Sequence, residues 1–140
     1  VYLTNTYCRL MTDAEEVVRY LAGKYPLTVV SNGFVECQHY KMEHTGLLPY
    51  FKHIVLSEEV NIQKPNPQIF AKAIEMNLAE IPDLQQSEVI MIGDSYTSDI
   101  AGAKSAGIDS IWVLTGEAPE EQKHDATYIV SRLRDVMTIL

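Results

Sequence analysis

Val89-Ile-Met-Ile92, running directly into Gly93-Asp94-Ser95-Tyr96-Thr97-Ser98-Asp99, is the stretch whose reading decides the fold. Four apolar residues without alternation, closed by glycine and small polar residues, predict a short strand buried on both faces. Behind it Ala101, Ala103 and Ala106 predict a helix that stops at Gly107. A strand that hides both faces needs a layer of helices on each side, so the neighbouring segments have to supply them.

They do so in both directions along the chain. Upstream, Pro67 stands where a first helical turn tolerates proline, and Ile69, Phe70, Ala73, Ile74 and Leu78 recur behind it at helical spacing. Before that lies the apolar run His53-Ile-Val-Leu56, then a helix predicted over about 35–45 that ends at Gly46. Leu27-Thr-Val-Val30 predicts another buried strand, preceded by a helix over about 13–24 with Thr12, Asp13, Glu15 and Glu16 at its start. Downstream, Ser110-Ile-Trp-Val-Leu114 predicts a strand, Tyr128-Ile-Val130 a short edge strand, and Arg132 to Leu140 a final helix. Alternating strands and helices imply an α/β, Rossmann-like, doubly wound, mainly parallel sheet.

Composition narrows the function. Of 140 residues, 46% are hydrophobic and 21% charged, enough for one packed domain. Nineteen acidic against 11 basic residues give a formal charge of −8, which repels polyanions and argues against a nucleic acid polymer as partner. No apolar run is long enough to cross a membrane. Two cysteines, Cys8 and Cys37, form neither a disulfide framework nor a zinc motif, so a reducing, cytoplasmic setting is expected.

In a sheet of this kind ligands bind beyond the carboxyl ends of the strands. Ser31-Asn32-Gly33 follows the first predicted strand and offers a hydroxyl and backbone N–H groups at the start of a helix, a favourable place for phosphate; taken alone it reads first as a capped turn. Lys64-Pro65 follows the second strand and brings a compact positive charge, although a single lysine before a helix is ordinarily a surface residue. Asp94 and Asp99 follow the most apolar strand, and two carboxylates there suit either helix capping or a hard cation such as Mg²⁺. Anion donors, a fixed cation and a metal cradle delivered to one sheet edge are what phosphoryl transfer requires.

With these residues the sequence resembles the haloacid dehalogenase superfamily, whose later motifs are a Ser or Thr after a strand, a Lys, and a Gly-Asp with another Asp four or five residues on. Ser31, Lys64, Asp94 and Asp99 match them. The stretches Ser31-Asn-Gly-Phe34, Glu58-Glu-Val60, Lys64-Pro-Asn66, Ile69-Phe70 and Gly93-Asp-Ser95 look most like the YjjG-type branch of 5′-nucleotidases. The resemblance implies a Mg²⁺-dependent phosphomonoesterase acting on a small phosphorylated substrate, a nucleoside monophosphate first, with sugar-phosphate phosphatase or phosphomutase activity as the alternative. It further implies that Ser31 with the backbone of Asn32 and Gly33 binds the phosphoryl group, that Lys64 neutralises it, that Asp94 ligates Mg²⁺, and that Asp99 supports either the metal shell or Lys64.

One motif is missing. The superfamily's nucleophile belongs to an Asp-x-Asp pair after the first strand, and no Asp-x-Asp occurs in this sequence. Residues 13–140 are therefore expected to be the C-terminal part of a longer hydrolase core, with 1–12 a linker from an upstream strand and a cap. The resulting core lacks its first central strand, between those at 27–30 and 89–92. An upstream fragment, a neighbouring chain through self-association, or residues 1–10 folding back would fill the gap. A non-catalytic phosphate-binding module is the competing reading.

Other polar residues carry less. His39, His44, His53 and His124 lack metal-ligand spacing, and Trp112 reads as core. Tyr96 touches substrate or lines the rim, and Glu117, Glu120, Glu121 and Asp125 read as a solvated loop face.

Overall fold

A computed structural model describes residues 2–3, 14–31, 48–114 and 116–140. Six strands form one sheet: β1 (Tyr2–Leu3), β2 (Thr28–Ser31), β3 (His53–Leu56), β4 (Ile90–Gly93), β5 (Asp109–Val113) and β6 (Tyr128–Val130). Their order is β3-β2-β1-β4-β5-β6, and every neighbouring pair is parallel. This is the doubly wound order in which the chain reverses direction across the sheet at its middle, the place where ligands of such folds collect.

Alternation along the strands sorts the core into two layers. Val29, Ile90, Ile92, Ile111 and Val113 pack with Val17, Val18 and Leu21 of α1 (Ala14–Ala22) and with Leu133 and Val136 near the C-terminal end. Val30, Val55 and Met91 face the other way, onto Ile69, Phe70 and Ala73 of α3 (Pro67–Leu78) and Ala103 of α4 (Ala101–Ala106). In β4, Ile90 and Ile92 thus serve one layer and Met91 the other, as an apolar run without alternation requires.

Local chemistry sets the helix ends. Pro67 takes the first position of α3, and the Asn66 side chain accepts a hydrogen bond from Gln68 N at 2.9 Å. Gly107 closes α4 in the left-handed region at φ 74°.

The expected linker over 1–12 is corrected at Tyr2–Leu3, which takes the central place in the sheet. Tyr2 and Leu3 pair with Thr28 and Val29 on one side and with Met91 and Ile92 on the other. The central position is therefore not open, and of the fillers weighed it is the chain's own first residues that occupy it. The physical reason is that β2 and β4 are buried along their whole length, and buried backbone N–H and C=O groups require partners. The final helix also differs: Leu133–Thr138 winds as 3₁₀ turns, which suit Leu133 and Val136, buried three residues apart. A short α2 (Ser57–Val60) follows β3, with Asn61 left-handed at φ 58° as its cap, and a one-turn α5 (Glu120–Lys123) precedes β6. The helix predicted over 35–45, Asn32, Gly33, Cys8, Cys37, His39 and His44 lie outside the described residues.

Candidate functional site

The carboxyl edge of the sheet is built from the ends of β2 and β4. Leu3 lies opposite Val29 and opposite Ile92, so Ser31 and Asp94, each two residues further on, stand level with each other across the line of β1. Ser31 ends β2 and is buried. Asp94 follows β4, is half-buried, and its carboxylate makes no hydrogen bond or ion pair among the described residues.

After Ser95 the chain enters a wide turn, Tyr96–Ile100, in which Ala101 N donates to Tyr96 O before α4 begins. Single π turns of this kind are frequent at functional sites. Here Asp99 is fully buried and both of its oxygens are engaged. Oδ1 accepts from Lys64 Nζ at 2.6 Å, and Oδ2 accepts from Ser95 N at 3.2 Å. Gly93 makes room for this carboxylate, since a Cβ there would lie 2.6 Å from Asp99 Cγ.

Lys64 is a buried lysine, its side chain 1% exposed, and not the surface residue that its position before a helix suggests. Burial pulls its ammonium below the usual lysine range, while the charge and hydrogen bond of Asp99 and the charge of Asp94 oppose that pull. Lys64, Asp99 and Asp94 therefore form one electrostatic unit, and Ser31 lies level with Asp94 at the same edge. Between the alternatives left open for Asp99, the geometry favours support of Lys64.

The donor set near Asp94 suits magnesium. That ion keeps waters and takes one or two carboxylates plus phosphate oxygens, so it does not need an all-protein cage. Among the described residues no group of three His, Cys, Asp or Glu side chains is assembled to hold a metal, which leaves Asp94 as the carboxylate with free oxygens at this edge.

Three residues near the edge make contacts beyond those expected from the sequence. Trp112 is buried as expected, yet its Nε1 donates to the Asp94 carbonyl at 3.2 Å. The register was the available signal, because Trp112 lies opposite Gly93. Asp125 is not simply solvated: it accepts from Tyr96 Oη and Lys104 Nζ, each at 2.5 Å. Tyr96 accordingly spends its hydroxyl within the protein. His53 sits at the opposite, amino end of β3, with Nε2 3.2 Å from Glu80 Oε1, and His124 caps α5.

Comparison with known proteins places the chain in a family. The family model described as haloacid dehalogenase-like hydrolase matches residues 2–113. The chain belongs to that family. It is 34% identical over 133 residues to pyrimidine 5′-nucleotidase YjjG of Escherichia coli, covering 95% of this chain and 57% of the relative. It is 30% identical over 139 residues to a glyceraldehyde 3-phosphate phosphatase of Pyrococcus furiosus, covering 96% of this chain and 56% of the relative. Among solved structures, YfnB of Bacillus subtilis bound to magnesium superposes with a TM-score of 0.85 at 31% identity, over 95% of this chain and 57% of that one. This member of the family thus spans a little over half the length of these relatives. Among the described residues no helix is long and apolar enough to cross a membrane.

Proposed function

We propose that the complete protein is a magnesium-dependent phosphomonoester hydrolase that acts on nucleoside 5′-monophosphates. The observation that carries this reading is the buried Lys64–Asp99 pair, placed at the edge where Ser31 and Asp94 stand level. Ser31, with the backbone of Asn32 and Gly33, binds the phosphoryl oxygens. Lys64 supplies a fixed positive charge that water does not screen, and Asp99 holds it in place. Asp94 would hold Mg²⁺, and the bound ion would offset negative charge on the phosphate.

The superfamily's covalent route needs an aspartate nucleophile from an Asp-x-Asp pair, and these 140 residues contain none. The 140 residues alone are therefore expected not to turn over, and they provide the phosphate and metal supports of a larger active site. Likeness to a pyrimidine 5′-nucleotidase supports the nucleotide substrate. Likeness to a glyceraldehyde 3-phosphate phosphatase favours the second reading, a sugar-phosphate phosphatase.

The test is phosphate release by the complete protein from a panel of nucleoside 5′-monophosphates, triose and hexose phosphates and phosphoserine, with Mg²⁺ and with chelator. The reading predicts the highest kcat/KM on a pyrimidine nucleotide and loss of turnover in chelator. A preference for triose phosphate would replace it with the second reading.

A further inference from the structure

Asp94 is braced from two sides, and only one brace belongs to the Lys64–Asp99 unit. On that side Ser95 N donates to Asp99 Oδ2. On the other, Trp112 Nε1 donates to the carbonyl of Asp94 itself, and the Trp112 ring packs against Tyr96 with centroids 5.5 Å apart and planes tilted by 39°. Tyr96 is held in turn, because its hydroxyl donates to Asp125 Oδ2 while Lys104 Nζ donates to Asp125 Oδ1. A chain of contacts therefore runs from the segment beyond β5, through Asp125 and Tyr96, to the residue proposed to hold the cation.

From this geometry we infer that Tyr96 is a positioning residue for divalent-cation binding at Asp94, fixed by a clasp with Asp125 and Lys104 and reported by Trp112. The inference rests on the reading of Asp94 as the cation ligand. A carboxylate binds a small hard ion well only when its backbone is already in place, so groups that hold the ligand set affinity without touching the ion. Asp125 suits the task. An ionised carboxylate only accepts hydrogen bonds, so it commits both the Tyr96 hydroxyl and the Lys104 ammonium as donors.

Trp112 makes the inference measurable. It is the single tryptophan of the chain, so fluorescence excited selectively in tryptophan reads the environment of one indole, one bond away from Asp94. The experiment titrates Mg²⁺ into the chain and into Tyr96→Phe, Asp125→Asn, Asp94→Asn and Glu120→Gln, with calorimetric Mg²⁺ titration beside it and denaturant unfolding without Mg²⁺ as the check on folding. Glu120 lies on the same segment, is exposed, and among the described residues its carboxylate pairs with Lys123 alone, so it is the control.

The expected result is a saturable fluorescence change in the native chain and in Glu120→Gln. Asp94→Asn abolishes it. Tyr96→Phe and Asp125→Asn, each lacking one hydrogen bond of the clasp, move the midpoint to about fivefold higher Mg²⁺. If both variants fold and titrate like the native chain, the clasp is a staple between α4 and the outer segment and the inference is overturned, while the reading of Asp94 stands. If the native chain binds no Mg²⁺ by either method, or Asp94→Asn binds it equally well, the reading of Asp94 falls and the inference with it.

Discussion

Asp94 and Asp99 are five residues apart and do opposite work. Asp99 is enclosed and fully committed, with Lys64 on one oxygen and Ser95 N on the other, whereas the Asp94 carboxylate makes no hydrogen bond or ion pair among the described residues. Removing one member of a buried ion pair leaves the other charge out of water and uncompensated, a cost of about 3–5 kcal/mol. Asp99→Ala is therefore expected to lower unfolding free energy by that amount, read from the urea midpoint at constant m-value. Asp94→Asn is expected to change the unfolding free energy by less than about 0.5 kcal/mol, as for a residue outside the packed core, while it removes Mg²⁺ binding. Equal losses in the two variants would mean that both aspartates are structural. The sequence alone could not separate these roles, since both residues fit capping as well as chemistry; the difference arises from the π turn at Tyr96–Ile100, which buries Asp99 and which no local composition announces.

Strands were the most legible elements, because burial on both faces demands uninterrupted apolar runs. His53–Leu56 and Tyr128–Val130 are found where their sequences predict them, and β2, β4 and β5 are displaced by a single residue. The α3 helix was equally readable, since Asn66, Pro67 and the apolar face from Ile69 onward all favour one answer. Tyr2–Leu3 was not readable as a strand, because two residues carry no periodicity and their place depends on β2 and β4 on either side. Lys64 was legible as a motif residue but not as a buried one: its enclosure comes from Asp99, 35 residues away. At this scale the junction of β4 with the π turn is the sensitive point. Gly93→Ala would press a methyl group into the Asp99 carboxylate, and overpacking of this kind costs about 1–3 kcal/mol. The variant is expected to unfold earlier in urea by that amount and to bind Mg²⁺ more weakly, because Asp99 also holds the Ser95 amide. Native stability and Mg²⁺ affinity in Gly93→Ala would show that the close approach is dispensable.

The described residues form a parallel sheet clad on both faces whose carboxyl edge gathers the Ser31 hydroxyl, the buried Lys64 ammonium and the Asp94 carboxylate. Those are groups that phosphoryl transfer requires, and the chain belongs to a family of haloacid dehalogenase-like hydrolases. What the 140 residues lack is the Asp-x-Asp pair of the covalent route. The proposed function thus divides the chemistry, with phosphate and metal supports among these residues and an attacking carboxylate that they do not supply. The most direct test is phosphate release from nucleoside 5′-monophosphates, with Mg²⁺ and with chelator, by a sample whose intact mass matches these 140 residues. No Mg²⁺-dependent release is expected from this sample, and release is expected once an upstream Asp-x-Asp segment is joined to it; Mg²⁺-dependent turnover by the 140 residues alone would overturn the proposed division.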